Sequence, residues 1–175
     1  MQWSKIKTRL RSLVTPALRS RVDFHLTRYR AHYNDHGGTC KCSKACELWI
    51  AVDGQKVFRA SYCKYAHEVF LMWRTTGASP WDQGTRQDEA FKSFVRQELH
   101  DPSDIVTALR GYLDSDPHEA LRSPDPFMRA LAIIDRRIGM RVLEQFQVAK
   151  DEHSLVRLFY FLRRPDMRSV TGKAS

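Results

Sequence analysis

The chain has 175 residues, 42% hydrophobic and 28% charged, with 29 Lys and Arg against 20 Asp and Glu. That length suffices for one packed domain, the composition excludes wholesale disorder, and no apolar run approaches the roughly 18 residues of a membrane span. The net charge of +9 is one-sided: residues 1–87 carry 15 Lys and Arg against 6 Asp and Glu, whereas residues 88–175 carry 14 of each.

Apolar residues at Trp3, Ile6, Leu10, Leu13, Val14 and Leu18 fall three or four apart, which predicts an amphipathic helix. Ser4 is placed to cap its start, and Thr15-Pro16 breaks it because proline has no N–H to give. Met1 to Arg11 is basic, but no unbroken apolar stretch or small-residue cleavage site follows, so a cytosolic protein is expected. Alternation over Val22–Thr27 predicts a half-buried strand that continues through Arg28-Tyr29-Arg30.

Leu48–Val52 and Lys56–Tyr62 read as two further strands joined by Asp53-Gly54, a type I′ hairpin signal. From Tyr62 to Trp73 the period turns helical, and residues 75–87 read as a loop rich in Gly, Ser, Pro and Thr. Helices are then expected over Asp88–Leu99, Pro102–Leu113, Pro117–Leu121, Pro126–Phe146 and Glu152–Arg163, with a frayed tail over residues 166–175. Three of them begin at Asp-Pro steps, at Asp101, Asp116 and Asp125, where aspartate caps free N–H groups and proline takes the first helical position. The fold expected is α+β: an N-terminal helix, a small antiparallel three-stranded sheet and an all-helical C-terminal half, in a single domain over residues 1–175.

The most informative feature lies between the first two strands. Cys40, Cys42 and Cys46 stand within seven residues, beside His32 and His36, and the fourth cysteine, Cys63, has His67 one helical turn beyond it. In a reducing compartment such thiols favour metal ligation over disulfides. A two-residue turn at Asp53-Gly54 pairs Val52 with Gln55, which sets Cys46 opposite Ser61 and carries Cys63 to the same end of the hairpin. Four thiolates then hold a structural Zn²⁺ in a closed shell, with His36 and His67 as substitutes for a thiol that points away. The rival readings are unlinked buried thiols and a redox or disulfide pair.

Catalytic signatures are missing: there is no phosphate-cradling G-x-x-x-x-G-K-[ST], no G-x-G-x-x-G, no G-x-S-x-G, and His67-Glu68 does not extend into H-E-x-x-H. An open metal site with water would allow hydrolysis, and Asp35 and Glu47 flank the loop as candidate bases. The basic first half offers a second alternative, nucleic-acid binding through Arg28, Arg30, Lys41 and Lys44 with His25, Trp49 and Tyr29 as stacking rings. Trp49 and Tyr29 covered by a helix is the preferred account of those rings. Asp135, Arg136, Arg137 and Arg141 border the apolar stripe Phe127, Leu131, Ile134, Ile138 and Val142, and a salt-bridge network is favoured there over a phosphate site.

Four segments together resemble a family of small, uncharacterised bacterial cytoplasmic proteins known chiefly through structural genomics. They are Trp3-Ser4-Lys5-Ile6-Lys7, His25-Leu26-Thr27-Arg28-Tyr29-Arg30, Trp49-Ile50-Ala51-Val52-Asp53-Gly54, and Arg129-Ala130-Leu131-Ala132-Ile133-Ile134-Asp135-Arg136-Arg137-Ile138-Gly139. The resemblance implies an α+β fold and no assigned activity, and the cysteine-rich loop departs from the family pattern. The function expected is therefore a non-catalytic binding or regulatory protein, clamped by zinc, with another protein as partner and no membrane association.

Overall fold

The computed structural model describes residues 2–27, 32–33, 39–40, 47–62, 64–65, 67–68, 74, 100–149 and 151–167. The expected loop at 75–87, the expected helix at Asp88–Leu99, the strand extension at 28–30 and the tail from 168 lie outside the described residues.

Helix α1 (Trp3–Leu13) forms where the apolar period demands, with Ile6 and Leu10 buried. Ser4 sits inside the helix rather than capping it: Gln2 is the N-cap and gives no side-chain bond. Pro16 opens a short 3₁₀ turn, Pro16–Leu18. Strand β1 (Val22–Thr27) follows, then two short strands, β2 (His32–Tyr33) and β3 (Thr39–Cys40), which pair antiparallel. Strands β4 (Glu47–Val52) and β5 (Gln55–Ser61) complete a three-stranded antiparallel sheet of order β1-β4-β5. The strands bury Val22 and Phe24 of β1, Leu48, Ile50, Ala51 and Val52 of β4, and Phe58 and Ala60 of β5, which ties the sheet to the apolar interior.

The turn between β4 and β5 has positive φ at both central residues, 51° at Asp53 and 80° at Gly54, as type I′ requires. Arg21 secures it: its guanidinium grips both Asp53 carboxylate oxygens at 2.9 and 2.6 Å, and the Asp53 N–H donates to the Arg21 carbonyl at 2.8 Å. That hydrogen-bonded fork holds the Asp53 carboxyl below its ordinary range.

Residues Tyr62, Lys64, Tyr65, His67, Glu68 and Arg74 are helical, as the period predicts. Helices α2 (Pro102–Asp114), α3 (Pro117–Leu121) and α4 (Pro126–Ile134) each start at proline, with Asp101, Asp116 and Asp125 accepting from the second helical N–H at 2.7, 3.0 and 2.8 Å. The single helix expected over Pro126–Phe146 is two: α4 ends at Ile134, and α5 (Met140–Gln145) restarts after an N-cap at Gly139. Helix α6 (Ser154–Arg163) closes the series, capped by the His153 ring, whose Nδ1 accepts from the Leu155 N–H at 3.2 Å.

The break in Pro126–Phe146 has a local cause. The Asp135 carboxylate accepts from the Arg137 N–H two residues on, at 2.8 Å, a turn that competes with the helical ladder. Asp135 is extended and forms a bridge with Val14, while Thr15 N–H donates to Ile134 and Arg136 N–H to Leu13. Gly139 is thus no close helix crossing: a Cβ there would meet nothing within 4 Å.

The backbone falls into two compact units, residues 1–24, 51–57 and 108–175, and residues 25–50 and 58–107. The first holds an apolar core in which α4 packs on α6 and α3, with Leu10, Tyr112, Ile133, Leu143 and Phe159 at 2% exposure or less. In the second, Leu48, Ile50 and Ala60 are fully enclosed, and the Phe58 ring lies 5.2 Å from that of His100.

Candidate metal centre

Of the residues expected to hold metal, Cys40 ends β3, directly opposite His32 of β2. His67 is helical and half-buried. Cys42, Cys46, Cys63 and His36 lie outside the described residues, as do Arg28, Arg30, Lys41, Lys44 and Asp35. Cys46 immediately precedes Glu47, the first residue of β4, and Cys63 stands in the sequence between the helical residues Tyr62 and Lys64, two residues past the end of β5. The register of a two-residue turn makes those two strand ends neighbours. The Arg59–Glu47 ion pair, 2.7 Å, spans β5 and β4 near that end. Among the described residues no group of three or more His, Cys, Asp or Glu side chains is arranged to hold an ion. Glu47 is engaged by Arg59, which leaves it a poor general base for a bound water.

The rings considered for stacking are already occupied with each other. His25 and Trp49 stack at 4.8 Å between centroids with planes 5° apart, and both are half-buried. Tyr29 lies outside the described residues.

A second polar centre was legible only in outline. Asp135, with a fully buried side chain, accepts from the Tyr112 hydroxyl at 2.6 Å and from Arg137 Nη2 at 2.7 Å and Nε at 3.1 Å. The Arg137 guanidinium lies 5.9 Å from the Tyr112 ring centroid. Burial first, and the bond to Asp135 second, push the Tyr112 phenol well above its ordinary range, so it stays a donor. Arg163 completes the cluster from α6, donating to the carbonyls of Ile133 at 2.5 Å, Asp135 at 2.8 Å and Ile138. The Ile133 carbonyl has lost its helical partner, because the Arg137 N–H turns to the Asp135 carboxylate, whereas the Asp135 carbonyl also accepts from the Ile138 N–H at 3.2 Å. Burial draws the Arg163 pKa down from its ordinary value. Both Asp135 oxygens are engaged, so this centre is a clamp rather than a nucleophile or base. The signal for it was an aspartate set directly after the apolar run Ala130–Ile134. The expected salt-bridge network is realised in the Arg137–Asp135 pair, while Arg136 and Arg141 are exposed.

Among the described residues no helix is long and apolar enough to cross a membrane. No curated protein and no solved structure matches the chain. A family model does match, over residues 2–164, and the chain belongs to the SF0329 protein family.

Proposed function

We propose that this is a small cytosolic protein of bacterial type that binds or regulates a protein partner, without catalysis of its own, and that a structural zinc ion clamps its cysteine-rich loop. Thiolates of Cys40, Cys42, Cys46 and Cys63 hold the ion, with His36 and His67 able to replace a thiol. The observation that carries the reading is the way short strands frame the cysteines: β3 ends at Cys40, β4 begins after Cys46, and β5 stops two residues before Cys63. Ligands that adjoin strands closely in the sequence need less chain ordering to meet an ion. Between Thr27 and Glu47 the sequence offers little apolar surface, so a metal supplies what a core would otherwise supply.

Metal analysis of the full chain, purified without an affinity tag, tests it. The expected result is close to one zinc per chain. Cys42→Ser should lose most of that zinc and lower Tm by at least about 5 °C, as expected when a ligand that binds only the folded state is lost. Protein that carries no zinc and takes none up would end the reading.

The concentration of positive charge in residues 1–87 favours one second reading, association with nucleic acid through Arg28, Arg30, Lys41 and Lys44. Retention on single-stranded DNA or RNA that falls steeply with salt would support it. Absence of retention at low salt would remove it.

A further inference from the structure

We infer that the unit of residues 1–24, 51–57 and 108–175 carries a surface for the phosphate backbone of duplex nucleic acid, built from Arg9, Arg11, Arg19, Arg136 and Arg137. The inference stands apart from the zinc reading, and it uses other residues than Arg28, Arg30, Lys41 and Lys44. Sorting charge by the fold changes its distribution. The sequence halves place the surplus in residues 1–87, yet this unit contains 19 Lys and Arg against 11 Asp and Glu, while residues 25–50 and 58–107 contain 10 against 9. The arginines are joined through the ends of three helices. Arg9 of α1 donates to the Leu113 carbonyl at 3.2 Å and pairs with Asp114 at 3.0 Å, where α2 ends. Arg137, just past the end of α4, reaches the Ser115 carbonyl beside that pair at 3.5 Å. The Arg136 N–H donates to Leu13 at 2.7 Å, where α1 ends, and there the Arg19 guanidinium donates to the Ser12 and Val14 carbonyls at 3.4 Å. Arg11 adjoins Ser12 in the last turn of α1. Against these five guanidiniums stand three carboxylates, Asp114, Asp116 and the buried Asp135. Arg11 and Arg136 are exposed, and neither side chain bonds to another described residue.

Chemistry selects the occupant. A guanidinium presents paired N–H donors that match the oxygens of a phosphate. Protein interfaces draw their energy from apolar and aromatic anchors, and the large apolar side chain exposed among the described residues is Met140 alone, at 43%. Single strands bind by stacking bases on rings. Tyr112, the ring against Arg137, is instead buried with its hydroxyl on Asp135. Contact with the backbone of a duplex needs neither anchor nor ring, and it carries no sequence information.

The test titrates a short labelled DNA duplex of mixed sequence with the full chain over a range of salt and follows fluorescence anisotropy. The logarithm of the affinity should fall linearly with the logarithm of salt concentration, equally for a second duplex of unrelated sequence. Arg11→Gln combined with Arg136→Gln should weaken binding at least about tenfold and lower the salt slope by about 2. Lysine at both positions should restore the slope, because the charge returns. In the unmodified protein, bound duplex should shield Arg11 and Arg136 from phenylglyoxal, read by peptide mass spectrometry, so the result does not depend on how the variants fold. Absence of binding at low salt, or both arginines left reactive in the complex, would overturn the inference. So would loss of binding on replacing Arg28, Arg30, Lys41 and Lys44 by Gln while the Arg11 and Arg136 pair of changes has no effect, which would move nucleic acid to the other surface. Displacement by poly-glutamate as readily as by unlabelled duplex would overturn it in favour of an acidic protein.

Discussion

Asp135 shows how much one buried side chain can organise. Its carboxylate has no access to water, yet four donors meet it: the Tyr112 hydroxyl, the Arg137 N–H, and two nitrogens of the Arg137 guanidinium. Removing one partner of such a set leaves the others buried and unmatched, which costs more than the set contributes net. Asp135→Ala should therefore lower stability by about 3 kcal/mol, read as a lower urea midpoint with an unchanged slope. The pH dependence follows from Tyr112. Below about pH 10, the ordinary phenol value, neither the folded nor the unfolded chain ionises it, and its bond contributes in full. Above that value the unfolded chain releases the proton while the folded chain, its phenol pushed upward by burial and Asp135, retains it. Stability then falls as pH rises. Tyr112→Phe should flatten that alkaline decline, measured as urea midpoints across the alkaline range.

At the scale of elements, most of the fold could be read from the sequence, and the exceptions are instructive. The Asp-Gly turn and the alternation in Val22–Thr27 and Leu48–Val52 identified the sheet because each rests on local backbone preference. The three Asp-Pro starts succeeded for the same reason, and Asp125→Ala should cost about 1 kcal/mol by removing the cap on α4. A Ser at the same position should recover most of that in thermal melts. The break at Asp135 to Gly139 escaped the sequence because the apolar period runs straight through it. What decides there is tertiary: Val14 bridges Asp135, and Arg163 donates to the carbonyls of Ile133 and Asp135 at the break. The metal candidates divide similarly. Their residue types were legible in the thiol cluster, but the opposition of His32 and Cys40 depends on two strands of two residues each, too short to leave a periodic trace.

Across the whole molecule, the two compact units carry different chemistry. The Asp135 clamp belongs to the unit of residues 1–24, 51–57 and 108–175, and the thiols all belong to residues 25–50 and 58–107. Cooperative units of this kind often open with separate free energies. Removing the proposed zinc should therefore raise hydrogen exchange at amides of β2, β3 and the outer ends of β4 and β5, while α4 and α6 keep their protection. Equal deprotection of α4 would show that the ion supports the molecule as a whole.

The Arg21 fork on Asp53 bears on durability as well as shape. Aspartate followed by glycine is among the steps in a polypeptide prone to ageing, because the glycine nitrogen can attack the side-chain carboxyl carbon, expel water and form a succinimide that reopens as isoaspartate. Here both carboxylate oxygens are gripped by one guanidinium, and the turn's own backbone is tied to Arg21. The side chain is thereby held from the rotation that ring closure requires, so the latch that sets the hairpin's tip also slows its chemical clock.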